Sequence, residues 1–89
     1  MSVIDNPAKS RFELEENGAL AFATYRHHGG VYTIPHVEAA TVLRGKGAAG
    51  RLMEGIAALA RVDGFKIAPT CSYAIAWFRR HPDQADLIA

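Results

Sequence analysis

Leu43-Arg44-Gly45-Lys46-Gly47-Ala48-Ala49-Gly50-Arg51-Leu52 gathers three glycines and three basic side chains directly ahead of a helical apolar pattern. Glycine adopts positive φ readily and lets another molecule approach the main chain. The first turn of a helix leaves N–H groups unpaired at the positive end of its dipole. The stretch therefore reads as an anion cradle suited to a phosphate. After it, Leu52, Met53, Ile56, Ala57, Leu59, Ala60 and Val62 recur close to i, i+3, i+4, i+7, which describes one amphipathic helix with Gly64 just past its end.

Two phosphate-loop fingerprints are set aside. Gly45, Gly47 and Gly50 satisfy G-x-G-x-x-G literally, but a dinucleotide fold needs several βαβ units and an acidic ribose ligand about 20 positions on. In that region stand Thr70 and Cys71. A Walker A loop requires Ser or Thr after its lysine, whereas Gly47 follows Lys46.

Moving outward toward the N-terminus, Val31–Ala39 is a strand long enough to run into the loop. Pro35 lacks an N–H, which predicts a bulge or an edge position within it. His36 and Glu38, two apart, then share a face and are candidate bases; the alternative is a half-buried strand histidine and a solvated partner for Arg44. His27-His28-Gly29-Gly30 reads as a turn, and adjacent histidines make a poor metal site. Ala19–Arg26 is a strand with Leu20 and Phe22 assigned to the buried face. Asn17-Gly18 is a two-residue hairpin signal joining it to Arg11–Glu15. Residues 1 to 9 are expected to be a flexible lead, and 10 to 89 a single domain.

On the other side of the helix, Phe65–Ala68 is a short strand that lies parallel to Val31–Ala39, because a helical crossover joins them. Thr70 or Ser72 is the expected N-cap of a helix over Tyr73–Arg80, stopped by Pro82. Trp77 and Phe78 are assigned to the core, and His81 and the Arg79-Arg80 pair to the helix C-terminus, where cations are favoured. Asp83 is a candidate cap for one more turn, returning Leu87 and Ile88 to the core.

Composition bounds the function. The chain has 89 residues, 49% hydrophobic and 21% charged, with net charge +1, so no electrostatic case for nucleic acid exists. A single cysteine, Cys71, excludes an internal disulfide and a thiolate zinc framework, and a reducing cytoplasm suits it. No apolar run reaches the ~20 residues of a membrane span, and no targeting segment is assigned.

Arg44-x-x-Gly47-x-Ala49 resembles R/Q-x-x-G-x-G/A, the acyl-coenzyme A pyrophosphate loop of the GCN5-related N-acetyltransferase (GNAT) family. Pro69-Thr70-Cys71-Ser72-Tyr73, Trp77, Arg79-Arg80-His81-Pro82 and Ala85-Asp86-Leu87 resemble the tail of its minimal, stand-alone YjdJ-type members. The likeness is nearly end to end. Departures are Val37 where threonine is common, Ala39 for valine, Ala40 for proline, Thr70 for leucine and Ser72 for proline.

The resemblance implies an α+β, α/β/α-like short GNAT fold. An antiparallel meander leads to a β-α-β unit with a splayed parallel strand pair and a C-terminal helix. It implies acetyl-coenzyme A as co-substrate, no metal, and an amine acceptor, either a small molecule or a protein lysine. No nucleic acid or membrane partner is expected, and the chain would be a monomer or weak homodimer. Main-chain groups of Glu38, Ala39 and Ala40 would hold the pantetheine arm. N–H groups along Arg44, Gly45, Lys46, Gly47, Ala48, Ala49 and Gly50 would take the pyrophosphate, with Arg44, Lys46 or Arg51 side chains neutralising it. Cys71 and Tyr73 would complete the coenzyme site.

Cys71, His36 and Glu38 are the catalytic candidates. Cys71 stands ahead of a helix N-terminus, where the dipole favours negative charge. It is a transient acyl carrier, a proton donor to the leaving thiolate, or a small buried residue without chemistry. Tyr73 is a further acid candidate, and histidine is the side chain suited to base work near neutral pH. The alternative function is an acyl-coenzyme A-binding module without significant turnover, built from the same binding residues.

Overall fold

Two tight turns shape the N-terminal half. At Asn17-Gly18 both central residues take positive φ, 52° and 76°, which matches the right-handed twist of the strands they join. The flanking strands are β2 (Arg11–Glu16) and β3 (Ala19–His28), paired antiparallel from Glu16↔Ala19 to Arg11↔Thr24. Gly29-Gly30 turns β3 into β4 (Val31–Ala39). His27 and His28 thus end a strand instead of forming the turn, because Tyr32 offers its ring face to His27, stacked at 4.1 Å.

The computed structural model describes residues 3–89 and adds a strand that the sequence reading leaves out. In place of a flexible lead over residues 1 to 9, β1 (Ile4–Asn6) pairs with β2, and a 3₁₀ turn follows at Pro7–Lys9; Met1 and Ser2 lie outside the described residues. A long-range bond ties this segment down: Tyr25 Oη donates to Asp5 Oδ1 at 2.6 Å. Burial first, and that carboxylate second, push the Tyr25 phenol well above its ordinary range.

After β4 the chain makes a 3₁₀ turn (Thr41–Leu43), then helix α1 (Ala48–Asp63), strand β5 (Lys66–Pro69), helix α2 (Ser72–Arg80) and a last 3₁₀ turn (Pro82–Leu87). Gly64 closes α1 at φ 78°, its N–H donating to the Ala60 carbonyl at 2.8 Å. The sheet order is β1-β2-β3-β4-β5, antiparallel except for the β4–β5 pair. No helix among the described residues is long and apolar enough to cross a membrane.

One core joins Phe12, Leu14, Ala21, Ala23 and Ile34 of the sheet to Leu52, Met53 and Ile56 of α1 and Ala74, Trp77 and Phe78 of α2. The assignment of Leu20 and Phe22 to the buried face is corrected: Ala21, Ala23 and Tyr25 face the core. Small side chains let a helix approach the sheet closely. Phe22 lies half-buried on the open face, with the Arg11 guanidinium 4.4 Å from its ring centre. Val62 fits the apolar stripe of α1 yet is 82% exposed in the last turn, and Ile88 stays partly exposed while Leu87 is buried.

β4 carries the bulge that Pro35 predicts. Thr24 pairs with His36 and Arg26 with Thr33, so Tyr25 faces two residues, Ile34 and Pro35. An extra residue reverses the alternation of the strand. Tyr32 and Ile34 face the core before it; after it, His36 and Glu38 share the open face opposite Thr24 and Phe22.

Candidate functional site

The site begins where two parallel strands part. β4 and β5 pair only from Val31↔Lys66 to Ile34↔Pro69. Beyond that point Thr70 and Cys71 both aim their N–H groups at the Ile34 carbonyl (3.1 and 3.3 Å), and the Thr70 hydroxyl donates to it too (3.2 Å). The chain then turns into α2. β4 runs on to Ala39 with its β5 side uncovered. Because the Ala40 N–H bonds the Leu20 carbonyl at 2.9 Å, antiparallel alternation turns the main-chain groups of Val37 and Ala39 toward that edge. Glu38 and Ala40, named from sequence for main-chain contacts, direct their N–H groups to β3 instead. Val37 joins the edge without having been singled out, since the phase of the ladder follows from pairing with β3 and is not written in β4.

The glycine loop continues from this edge. Buried Leu43 anchors the 3₁₀ turn. The N–H of Arg44 is taken by the Thr41 carbonyl and that of Lys46 by Leu43, both at 3.2 Å, so these two of the expected donors are closed. Gly45 and Gly47 take φ of 77° and 79°, and the first helical bond runs from the Arg51 N–H to the Gly47 carbonyl at 3.1 Å. The N–H groups of Gly45, Gly47, Ala48, Ala49 and Gly50 have no partner among the described residues. They border a cleft of about 290 Å³ lined also by Ala39, Leu43, Arg44 and Tyr73. A helix N-terminus with open donors in a concave setting binds anions.

Side chains divide into those that face this cleft and those engaged elsewhere. Arg44 lines it, its Nε donating to the Ala39 carbonyl at 3.2 Å. The Tyr73 hydroxyl lies over Gly50, where a Cβ would stand 3.6 Å away. Lys46 is exposed and Arg51 does not line the cleft: the Arg51 guanidinium turns to Glu16, with contacts of 2.6 and 2.8 Å. That hydrogen bonding, outweighing burial, holds the Glu16 carboxyl below its ordinary value and raises Arg51. A larger cavity of about 400 Å³ lies beside this pair, but its buried polar group is already bonded.

Cys71, not Thr70 or Ser72, is the N-cap of α2, its Sγ accepting from the Ala74 N–H at 3.4 Å. The helix begins one residue earlier than its apolar pattern, and the Thr70 hydroxyl is already bonded to Ile34. His36 and Glu38 do meet, Nε2 to Oε1 at 2.9 Å, with side chains 55% and 49% exposed on the open face. The three catalytic candidates therefore fall into two places, the pair beyond the bulge and the cysteine at the head of α2. At the far end of α2, His81 Nδ1 donates to the Trp77 carbonyl at 2.7 Å and its ring stacks on the indole.

Comparisons with known proteins bear on the family and the fold. A family model described as GCN5-related N-acetyl-transferase matches residues 11–87. The solution structure of a GCN5-like protein from Staphylococcus aureus is similar over 99% of this chain and 87% of that one, with a TM-score of 0.73 and 25% identity. No curated protein sequence matches the chain.

Proposed function

The chain belongs to the GCN5-related N-acetyltransferase family, and from that membership we propose that it transfers an acetyl group from acetyl-coenzyme A to an amine. The observation that carries this reading is the row of five open N–H groups from Gly45 to Gly50, bordering a cleft that meets the uncovered edge of β4. A diphosphate fits such a row, since each N–H offers a hydrogen bond and the helix dipole adds favourable charge.

When bound, acetyl-coenzyme A supplies an activated thioester. The chain supplies position and proton management. Val37 and Ala39 offer main-chain partners to an extended arm, Arg44 lies beside the diphosphate, and the His36–Glu38 pair takes the proton that the attacking amine loses. Cys71 and Tyr73, at the start of α2, are the groups that return a proton to the departing thiolate. The acceptor is an amine of a small molecule or of a protein lysine.

The test is titration of isotopically labelled protein with acetyl-coenzyme A, followed by amide chemical shifts. Changes confined to residues 37 to 51 and 70 to 78 are expected; an unresponsive loop would sink the proposal. One observation favours a second reading, a coenzyme-binding module without turnover: the Cys71 Sγ is occupied as a helix cap. Release of free coenzyme thiol in the presence of amines separates the two, and Cys71→Ala is expected to lower that rate while leaving coenzyme affinity in place.

A further inference from the structure

Arg51 stands one turn into the helix that carries the open N–H groups, yet its half-exposed guanidinium turns away from the cleft to Glu16. Nε donates to Glu16 Oε2 at 2.6 Å and Nη2 to Glu16 Oε1 at 2.8 Å, a two-point pairing that fixes the plane of the guanidinium. Glu16, the last residue of β2, is the buried charged side chain of the described residues, 7% exposed. The same Nη2 also donates to the Lys46 carbonyl at 2.8 Å. A buried carboxylate on the sheet is thus connected through one side chain to the main chain of the glycine loop, 30 residues further along.

The consequence follows from peptide geometry. No peptide bond among the described residues is cis, and in a trans peptide the carbonyl and the following N–H point opposite ways. While Arg51 holds the Lys46 carbonyl, the Gly47 N–H must face away from Arg51; Gly47 lines the cleft and Arg51 does not. Glycine at 47 tolerates both signs of φ, so the residue itself does not choose between the two orientations of this peptide. A Cβ at that position would sit 3.0 Å from Arg51 Nη1, so glycine is also what admits the guanidinium.

We propose that Glu16 is a positioning residue for the anion cradle: through Arg51 it selects the orientation of the Lys46–Gly47 peptide that presents the Gly47 N–H to the cleft. The inference rests on the coenzyme-binding reading above. Arg51 acts here from behind the loop, and the phosphate is met by main chain. A lysine at 51 would not serve, because an ammonium lacks the planar fork that grips two carboxylate oxygens and a carbonyl together. If removal of the pairing leaves the competent orientation in about a tenth of molecules, apparent affinity falls roughly tenfold.

The experiment is a double-variant cycle on the full chain with Glu16→Ala, Arg51→Ala and both, read by calorimetric binding of coenzyme A and by the Gly47 amide resonance of the ligand-free protein. Each single variant is expected to weaken binding roughly tenfold, and the double variant no further, because the two residues act as one unit. The Gly47 resonance should move without ligand, and the coenzyme KM should rise while kcat at saturation holds. Should Glu16→Ala fail to fold, Glu16→Gln keeps the shape of the side chain and carries the same expectation. Unchanged affinity in the single variants overturns the proposal, as does an additive loss in the double variant, which would make Arg51 a direct ligand. A wild-type chain that does not bind coenzyme A overturns the function reading itself, and this inference with it; one that binds normally alongside equally competent variants overturns only the role of Glu16.

Discussion

The two halves of β4 are one strand under opposite conditions. From Val31 to Thr33 it is paired on both sides, with β3 and with β5, and Ile34 keeps the β5 partner as the bulge begins. Tyr32 there sits in an aromatic cluster 4.3 Å from Phe65, 4.8 Å from Tyr25 and 5.4 Å from Phe12 between ring centres. From His36 to Ala39 the strand keeps its β3 partner and pairs with no strand on the other side among the described residues. The change falls at Ile34–Pro35, where the bulge reverses the faces, and where Thr70 and Cys71 saturate the last shared carbonyl and lead the chain into α2. An uncovered edge is usually a hazard for a sheet. Here it is short, follows a proline and adjoins the open N–H groups of the loop, so main-chain groups that stabilise the first half are left open in the second, where the proposed function seats the coenzyme arm. An open edge is created by ending the pairing with a neighbouring strand at Ile34↔Pro69, while Ile34 itself stays in the core.

The sharpest way to break the comparison is to attack each half separately. Ile34 is fully buried where the first half meets the bulge, and Ile34→Ala is expected to cost about 3 kcal/mol in urea unfolding, from lost burial plus the cavity left behind. A loss well under 1 kcal/mol would mean that this half is not the anchor. Gly47→Ala acts on the open half: at φ 79° with the Arg51 guanidinium beside it, a methyl group costs about 1–2 kcal/mol of conformational strain. Coenzyme affinity should fall roughly tenfold or more, in line with about 1.4 kcal/mol per tenfold. Affinity held at the wild-type level would show that the loop conformation is dispensable.

A smaller effect probes the junction. Cys71→Ala removes the α2 cap and should lower stability by about 0.5–1 kcal/mol, whereas Cys71→Ser supplies a hydroxyl acceptor and should not. If turnover is lost in both while only Ala destabilises, thiol chemistry is separated from capping; activity retained in Cys71→Ser would leave the cap as the residue's whole role. The gentlest change is in pH. Arg51 beside Glu16 and Arg11 beside Glu13 hold both carboxyls below their ordinary 4.5. A group whose folded pKa is depressed contributes fully above its unfolded value and loses that contribution as pH falls through the folded one. Unfolding midpoints should therefore be level near neutrality and decline below about pH 4.5, with Glu16→Gln flattening part of the decline. An equal decline in that variant would assign the effect to other carboxyls.

Much of the architecture was legible from local chemistry. Asn17-Gly18, Gly64, the break at Pro35 and the glycines of the loop are each read from what one or two residues permit their own backbone, and each stands where expected. The misreadings share a different character. The three residues of β1 hold too little pattern to announce a strand; a bond from Tyr25, twenty positions away, secures it. Leu20 and Phe22 outrank alanine in hydrophobicity, but the face that a helix covers is chosen by how closely it can approach. Arg51 stands among the basic residues of the loop, but its partner lies 35 residues back, and two of the expected loop donors are closed by carbonyls of a 3₁₀ turn that no pattern announces.

Backbone permission, then, belonged to the sequence: which residues can turn left-handed, which lack a donor, where a helix stops, and with these the family resemblance. Direction was decided only in three dimensions. Whether the groups of Val37 or Glu38 face the uncovered edge, whether Arg51 meets a phosphate or a buried carboxylate, and which peptide orientation Gly47 keeps all depend on what a distant element places alongside. A residue's own conformational range is set by covalent structure and near neighbours, while its partner is set by the packing of segments far apart in the chain.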